Sequence, residues 1–248
     1  MHSNSSPALI ALAALPMFVI MVLVTILIWI SFQTGILGTA DATYSLSNYT
    51  EVFDDSLFFE AVSNTVVFSI TATLIAMGIG LPIAWVTERT TLPGKSWVYV
   101  IMTLGLLIPG IFTAMGWTFL AHERIGFLNR WAVQYFGFSE APLNIATPIG
   151  MGFVQGLSLA ALGFILTAQM FRSMNPSLEE AAGIHGMGFF ATLRRVTLPL
   201  AMPAILAAVI YIVVIAMATF DIPAIIGLGS RVYLLSTYIF DLTNPGDE

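Results

Sequence analysis

The strongest constraint on this chain is a set of long stretches that contain no charged side chain. Five of them, Ala8 to Phe32, Ala61 to Thr87, Ser96 to Ala121, Thr147 to Phe171 and Val196 to Phe220, exceed the roughly 20 apolar residues that a helix needs to cross a hydrocarbon core. Inside lipid a backbone has no water to bond to, so a crossing segment must satisfy its own amides, and helix is the expected form. Composition agrees, with 58% hydrophobic and 9% charged residues in 248, far from the balance of a soluble domain. The expected fold is therefore an all-α, polytopic helical membrane protein, a single domain over residues 1–248 with five clear spans. The first stretch has no Lys or Arg before it and is longer than a leader's apolar region of about 7–15 residues, so it reads as a retained span.

Beyond Phe220 the pattern weakens, because Asp221, Arg231 and Asp241 interrupt it at regular intervals. No full span fits over 221–248. The segment reads as an outer loop or a re-entrant piece broken by Gly and Pro, a partial sixth crossing. The chain stops in "NPGDE", so a final span is expected to be missing.

Basic residues set the expected orientation. Arg89, Lys95, Arg172, Arg194 and Arg195 fall in the connections on one side; Arg124, Arg130 and Arg231 fall on the other with most of the acidic residues. This bias puts the N-terminus and the loop around residues 173–197 in the cytoplasm and the 221–248 segment outside.

Several chemistries find no support. A net charge of −6 argues against nucleic acid as a partner. The absence of cysteine removes disulfides, thiolate metal sites and cysteine nucleophiles. His2, His122 and His185 are scattered, without the spacing of a metal site. "PGKS" at Pro93 to Ser96 has Arg89 where a phosphate-binding loop needs its first Gly, and "GLSLA" at Gly156 to Ala160 lacks the second Gly of a nucleophile elbow. Hence no catalytic, cofactor-binding or metal residue is expected. Gly152, Gly156 and Ala160 instead form a small-residue stripe suited to close helix packing. Pro82, Pro109 and Pro203 fit kinks or ordinary helix shape. Asn64 and Asp221, at the outer ends of the second and fifth spans, are candidates for lining a translocation pathway, or for plain solvation at the interface.

Between the fourth and fifth spans lies the polar stretch "SLEEAAGIHGMGFFATLRRVTLP", Ser177 to Pro199. Ser177 and Glu180 have the spacing of a capping box, which predicts a short helix over Leu178 to Ile184 with Glu179 and Glu180 in its first turn. Gly186 and Gly188 break it. A second short helix is expected from about Phe189 to Val196, with Arg194 and Arg195 near its C-terminal end and Pro199 starting the next span. Such a bent pair, carrying Met187, Phe189 and Phe190, fits a docking element for a partner's groove; a solvated helical loop is the alternative.

This stretch resembles the EAA signature of the permease subunits of type I ABC importers, E-A-A-x3-G-x9-I-x-L-P: Glu180, Ala181, Ala182, Gly186, Leu198 and Pro199 match, and Val196 departs conservatively. "NYTEVFDDSLFFEAVSNTVVFS" and "TERTTLPGKS" are similar to that family's outer loop and following inner loop. "FDIPAIIGLGSRVYLLSTYIF" resembles the ferric-iron-type members, in which two permease halves are often fused into one chain. The resemblance implies the type I importer transmembrane fold in a bacterial inner membrane. It also implies a coupling loop at 173–197 in which Glu180, Ala181, Ala182, Gly186, Phe189, Phe190, Leu198 and Pro199 meet separate ATPase subunits that hold ATP and magnesium. Its further implications are a second permease half, an extracytoplasmic binding protein, iron(III) as the first solute with polyamine or thiamine behind it, and a chain that forms the front half of a longer protein. A secondary transporter or channel would need more ionisable groups inside its spans; a membrane enzyme would need an acid–base constellation; a structural assembly subunit stays open.

Overall fold

The computed structural model describes residues 7–35, 39 and 41–243; His2 and the terminal "NPGDE", with Asp247 and Glu248, lie outside the described residues. The chain divides into two compact units, Met1–Phe59 and Glu60–Glu248.

The first unit contains α1 (Pro7–Ser31), an antiparallel two-stranded ribbon of β1 (Gln33–Thr34) and β2 (Thr43–Tyr44), and α2 (Ser47–Asp54). From Leu15 to Trp29 the large apolar side chains of α1 are exposed on every face, as suits a helix solvated by lipid. Polar groups gather at its C-terminal end: Trp29 Nε1 donates to the Tyr44 hydroxyl, and the Asn48 amide donates to the carbonyls of Ser31 and Gln33.

The helix α3 (Ser56–Arg89) leads into the second unit, whose central pair is α3 and α7 (Pro148–Ser173). The small-residue stripe works here as expected. A Cβ on Gly152 would lie 2.8 Å from the Phe68 carbonyl, and one on Gly80 would lie 2.6 Å from both the Ala160 carbonyl and the Phe164 nitrogen. The backbones therefore meet where lipid offers no stronger drive than van der Waals contact. Threonines inside these helices return their hydroxyls to the preceding turn, Thr73 to Ser69, Thr87 to Ile83 and Thr167 to Gly163, so these hydroxyls are satisfied within their own helix.

Four helical stretches are long and apolar enough to cross a membrane, or up to six with each bent pair counted as one. The stretch Ser96 to Ala121 is one of those pairs: α4 (Lys95–Leu106) and α5 (Gly110–Ala121) meet at 92°. Pro109 supplies no amide and has an extended backbone (φ −59°, ψ 140°), which stops the first helix and starts the second. A short helix, α6 (Phe127–Phe136), follows. The Asn129 amide bonds the carbonyls of His122 and Leu143, while its oxygen accepts from Leu143 N. Past α10 (Leu198–Ala218) come a π turn (Pro223–Gly227), a 3₁₀ turn (Leu228–Ser230) and α11 (Leu235–Thr243), a second pair bent by 71°. Its described residues form a broken helical pair rather than one straight span.

Candidate functional site

The polar connection between α7 and α10 has three local parts. Met174 leaves the α7 helix in extended conformation, Asn175 accepts the Ser177 amide on Oδ1, and α8 runs Ser177–Ile184. The expected capping box does not form. Pro176 occupies the N-cap position without a side-chain bond, because the Asn175 Asx turn already takes the Ser177 amide.

The C-terminal end of α8 is a Schellman motif. Gly186 N donates to Gly183 O, Met187 N donates to Ala182 O, and Gly186 sits at φ +77°. That pairing needs a left-handed residue just past the helix end, which glycine adopts without a Cβ penalty. Nothing lies within 4 Å of a Cβ placed on Gly186, so backbone angle alone requires glycine there. Gly188 has an ordinary φ of −72°.

After the kink, α9 (Phe189–Thr192), a π turn (Leu193–Thr197) and α10 form one continuous helix, Phe189–Ala218. This corrects the expectation of a second short helix separate from the span. The π turn has a local cause. Pro199 cannot donate to the Arg195 carbonyl four residues back, and its ring would strike that carbonyl in regular α geometry; widening the turn relieves the clash.

Side chains then fix this element to the spans. Glu179 faces inward: its Oε2 accepts from Arg89 Nε at 3.1 Å and pairs with the same guanidinium through Nη2, and its Oε1 accepts from the Thr197 hydroxyl at 2.6 Å. Arg89 also donates to the Met174 carbonyl at 3.3 Å. The Arg89 side chain is 7% exposed, so the pair lies in a partly dry environment that strengthens it. Next to it Glu88, Tyr99 and Arg172 join α3, α4 and α7: the Tyr99 hydroxyl donates to Glu88 at 2.7 Å and accepts from Arg172 at 2.8 Å, and Arg172 donates to both Glu88 oxygens.

Each residue singled out in the sequence has a definite place. Glu180 is exposed and, among the described residues, makes no side-chain hydrogen bond or ion pair. Ala181 is exposed; Ala182 is the one buried residue of α8. Phe189 packs edge-on against Trp85 and against Phe190. Phe190 is 80% exposed and Ile184 is 86% exposed, so two apolar side chains flank the kink without cover. Leu198 lines a small, half-open apolar cleft of about 170 Å³ with Leu81, Trp85 and Leu193, and Pro199 is exposed in the first turn of α10. The two pathway candidates lie elsewhere. Asn64 Nδ2 donates to the Tyr233 carbonyl at 3.0 Å, and its neighbour Thr65 accepts the Leu235 amide at 2.8 Å, so both hold the bent pair against α3. Asp221 is exposed beside the α4–α5 break, where a Cβ on Gly110 would be 2.7 Å from its Oδ2. Sequence reasoning overlooked Glu179, Arg89 and Thr197. The available signal was the first carboxylate of "EEAA", Glu179, which the E-A-A pattern itself does not use.

No family model matches the chain. It is 30% identical over 208 residues to the sulfoquinovosyl glycerol transport system permease protein SmoG of Agrobacterium fabrum, an alignment covering 79% of this chain and 65% of that protein. It is 26% identical over 228 residues to the trehalose/maltose transport system permease protein MalF of Thermococcus litoralis, covering 88% and 76%. It is 23% identical over 202 residues to the ferric transport system permease protein FbpB of Actinobacillus pleuropneumoniae, covering 80% of this chain and 28% of that one. Among solved structures, a bacterial alginate ABC transporter in complex with an alginate pentasaccharide-bound periplasmic protein matches at a TM-score of 0.65 and 19% identity, over 82% of this chain and 73% of that one. The relatives are named as permease proteins of transport systems, and the fold is that of an ABC transporter's membrane-spanning domain.

Proposed function

We propose that this chain is the membrane-spanning permease subunit of an ATP-driven importer, with the α8–α9 element as the part that docks a separate ATPase. One observation carries this reading: the stretch matching the EAA signature is a kinked helical element clamped to the spans at its base, yet it leaves Ile184, Phe190 and Glu180 uncovered at its tip. Exposed apolar residues beside an exposed carboxylate suit a groove with a cationic rim. In this reading ATP and magnesium are bound by the partner, and this chain carries no catalysis of its own. Closure of the ATPase pair moves the docked element, and the spans exchange inward- and outward-facing states. The exchange requires a partner that holds the element differently in its two nucleotide states, since binding shifts an equilibrium only by differential affinity. A second permease, an extracytoplasmic binding protein, an inner-membrane location and a cytoplasmic face for the α8–α9 element complete the assembly.

For the solute, we favour a sugar or glycoside. The supporting relatives are named for sulfoquinovosyl glycerol and trehalose/maltose at 30% and 26% identity, and a spermidine/putrescine relative at 26% also stands ahead of the ferric one at 23%, so iron(III) ranks behind both sugar and polyamine. Copurification in mild detergent tests the reading: the wild-type complex should retain a subunit that hydrolyses ATP, and changing Glu180 and Gly186 together should release it. A wild-type preparation without any ATP-hydrolysing partner overturns the proposal.

A further inference from the structure

We propose that Glu179, Arg89 and Thr197 form the mechanical link through which motion of the docked element reaches the spans, a positioning role separate from docking itself; this rests on the permease reading above. The two adjacent glutamates divide the work. Glu180 is exposed with no partner among the described residues, while both oxygens of the Glu179 carboxylate face the spans: Oε1 to Thr197 at 2.6 Å, Oε2 to Arg89. Arg89 ends α3, Thr197 closes the π turn that enters α10, and the Met174 carbonyl bonded to Arg89 ends α7. One carboxylate thus joins α8 to α3 and α10, and Arg89 carries the link on to the end of α7.

Local helix chemistry does not need this contact. The Asx turn at Asn175 and the Schellman motif at Gly186 close α8 by themselves. What the clamp adds is orientation, and charge-assisted bonds in a partly dry site are the strong, directional kind. Its location is also telling, since Thr197 belongs to the π turn, the irregular segment where the Phe189–Ala218 helix departs from α geometry. A push at Phe190 would flex that turn unless Glu179 tied it to α3. The clamp makes the element and the three span ends move as one body.

The chain contains no cysteine, so Gly183→Cys on α8 and Thr91→Cys just past α3 offer two unique spin-label sites in the complex with a cysteine-free ATPase. Both positions are exposed. In the wild type, the distance between the labels should be the same without nucleotide and when trapped with ATP and vanadate. In Glu179→Gln and Thr197→Val, ATPase retention should persist, the distance should change with nucleotide, and the clamped population should fall about tenfold, the scale of one charge-assisted bond. Thr197→Ser keeps the hydroxyl and should behave as wild type. The inference is overturned if the wild-type distance already changes with nucleotide, if both variants match wild type, or if Thr197→Ser is as disruptive as Thr197→Val. Failure of the wild type to retain an ATPase overturns the permease reading and the link together, whereas retained ATPase with undisturbed variants overturns the link alone.

Discussion

Replacing Gly186 with alanine isolates the kink from every other contact. The residue sits at φ +77°, and no atom lies within 4 Å of the added Cβ, so the substitution adds left-handed strain and no clash. That strain is about 1–2 kcal/mol for an L residue with a Cβ, which lowers the equilibrium constant for the kinked loop about 5- to 30-fold. The loop has little stability to absorb this, because α8 buries Ala182 alone. If the kinked form is the one that docks, the apparent Kd for the ATPase rises by up to the same factor. Gly188→Ala is the matched control: its φ of −72° suits any residue, and its surroundings are equally open. Titrating purified ATPase onto the permease in nanodiscs, with gel filtration to confirm folding, reads the difference. Equal affinities for Gly186→Ala and Gly188→Ala would refute the reasoning.

Three further outcomes follow from the packing. Gly80→Leu should destabilise the α3–α7 crossing by about 1–3 kcal/mol, because the new side chain meets backbone atoms that cannot move aside; Gly78→Ala, with open space around it, should leave the detergent melting curve unchanged. Tyr99→Phe removes a donor to Glu88, whose side chain is 3% exposed, and should cost about 1 kcal/mol in the same assay. Asn64→Ala combined with Thr65→Val should loosen the Pro223–Thr243 pair and accelerate tryptic cleavage after Arg231, one of only eight Lys and Arg residues; an unchanged digestion rate would contradict the latch.

Much of the architecture was legible because lipid imposes a simple demand. A charge-free run of sufficient length must become helix, and α1, α3, α7 and α10 follow the runs that mark them. The same rule hid the break at Pro109. A run bent by 92° has the same hydropathy as a straight one, and only the Pro-Gly pair distinguishes them. The α8 helix and the kink at Gly186 were readable from residue type, since both obey local rules. The link at its base was not. Glu179 and Arg89 are 90 positions apart, and a glutamate in a first helical turn already has a sufficient local explanation. Ser177 misled for a related reason: its capping pattern was correct, but Asn175 reached the amide first. The π turn was latent in Pro199, whose ring excludes an ordinary turn around Arg195.

The central claim is that a soluble ATPase grips the tip of the α8–α9 element. A photo-crosslinking amino acid at Phe190, and separately at Ile184, in membranes containing the whole complex tests it most directly. One dominant adduct with an ATP-hydrolysing subunit is expected at both positions, and none at a third probe site, Ile210 on an exposed face of α10. Adducts confined to lipid or to a second copy of this chain, with the ATPase present and uncrosslinked, would contradict it.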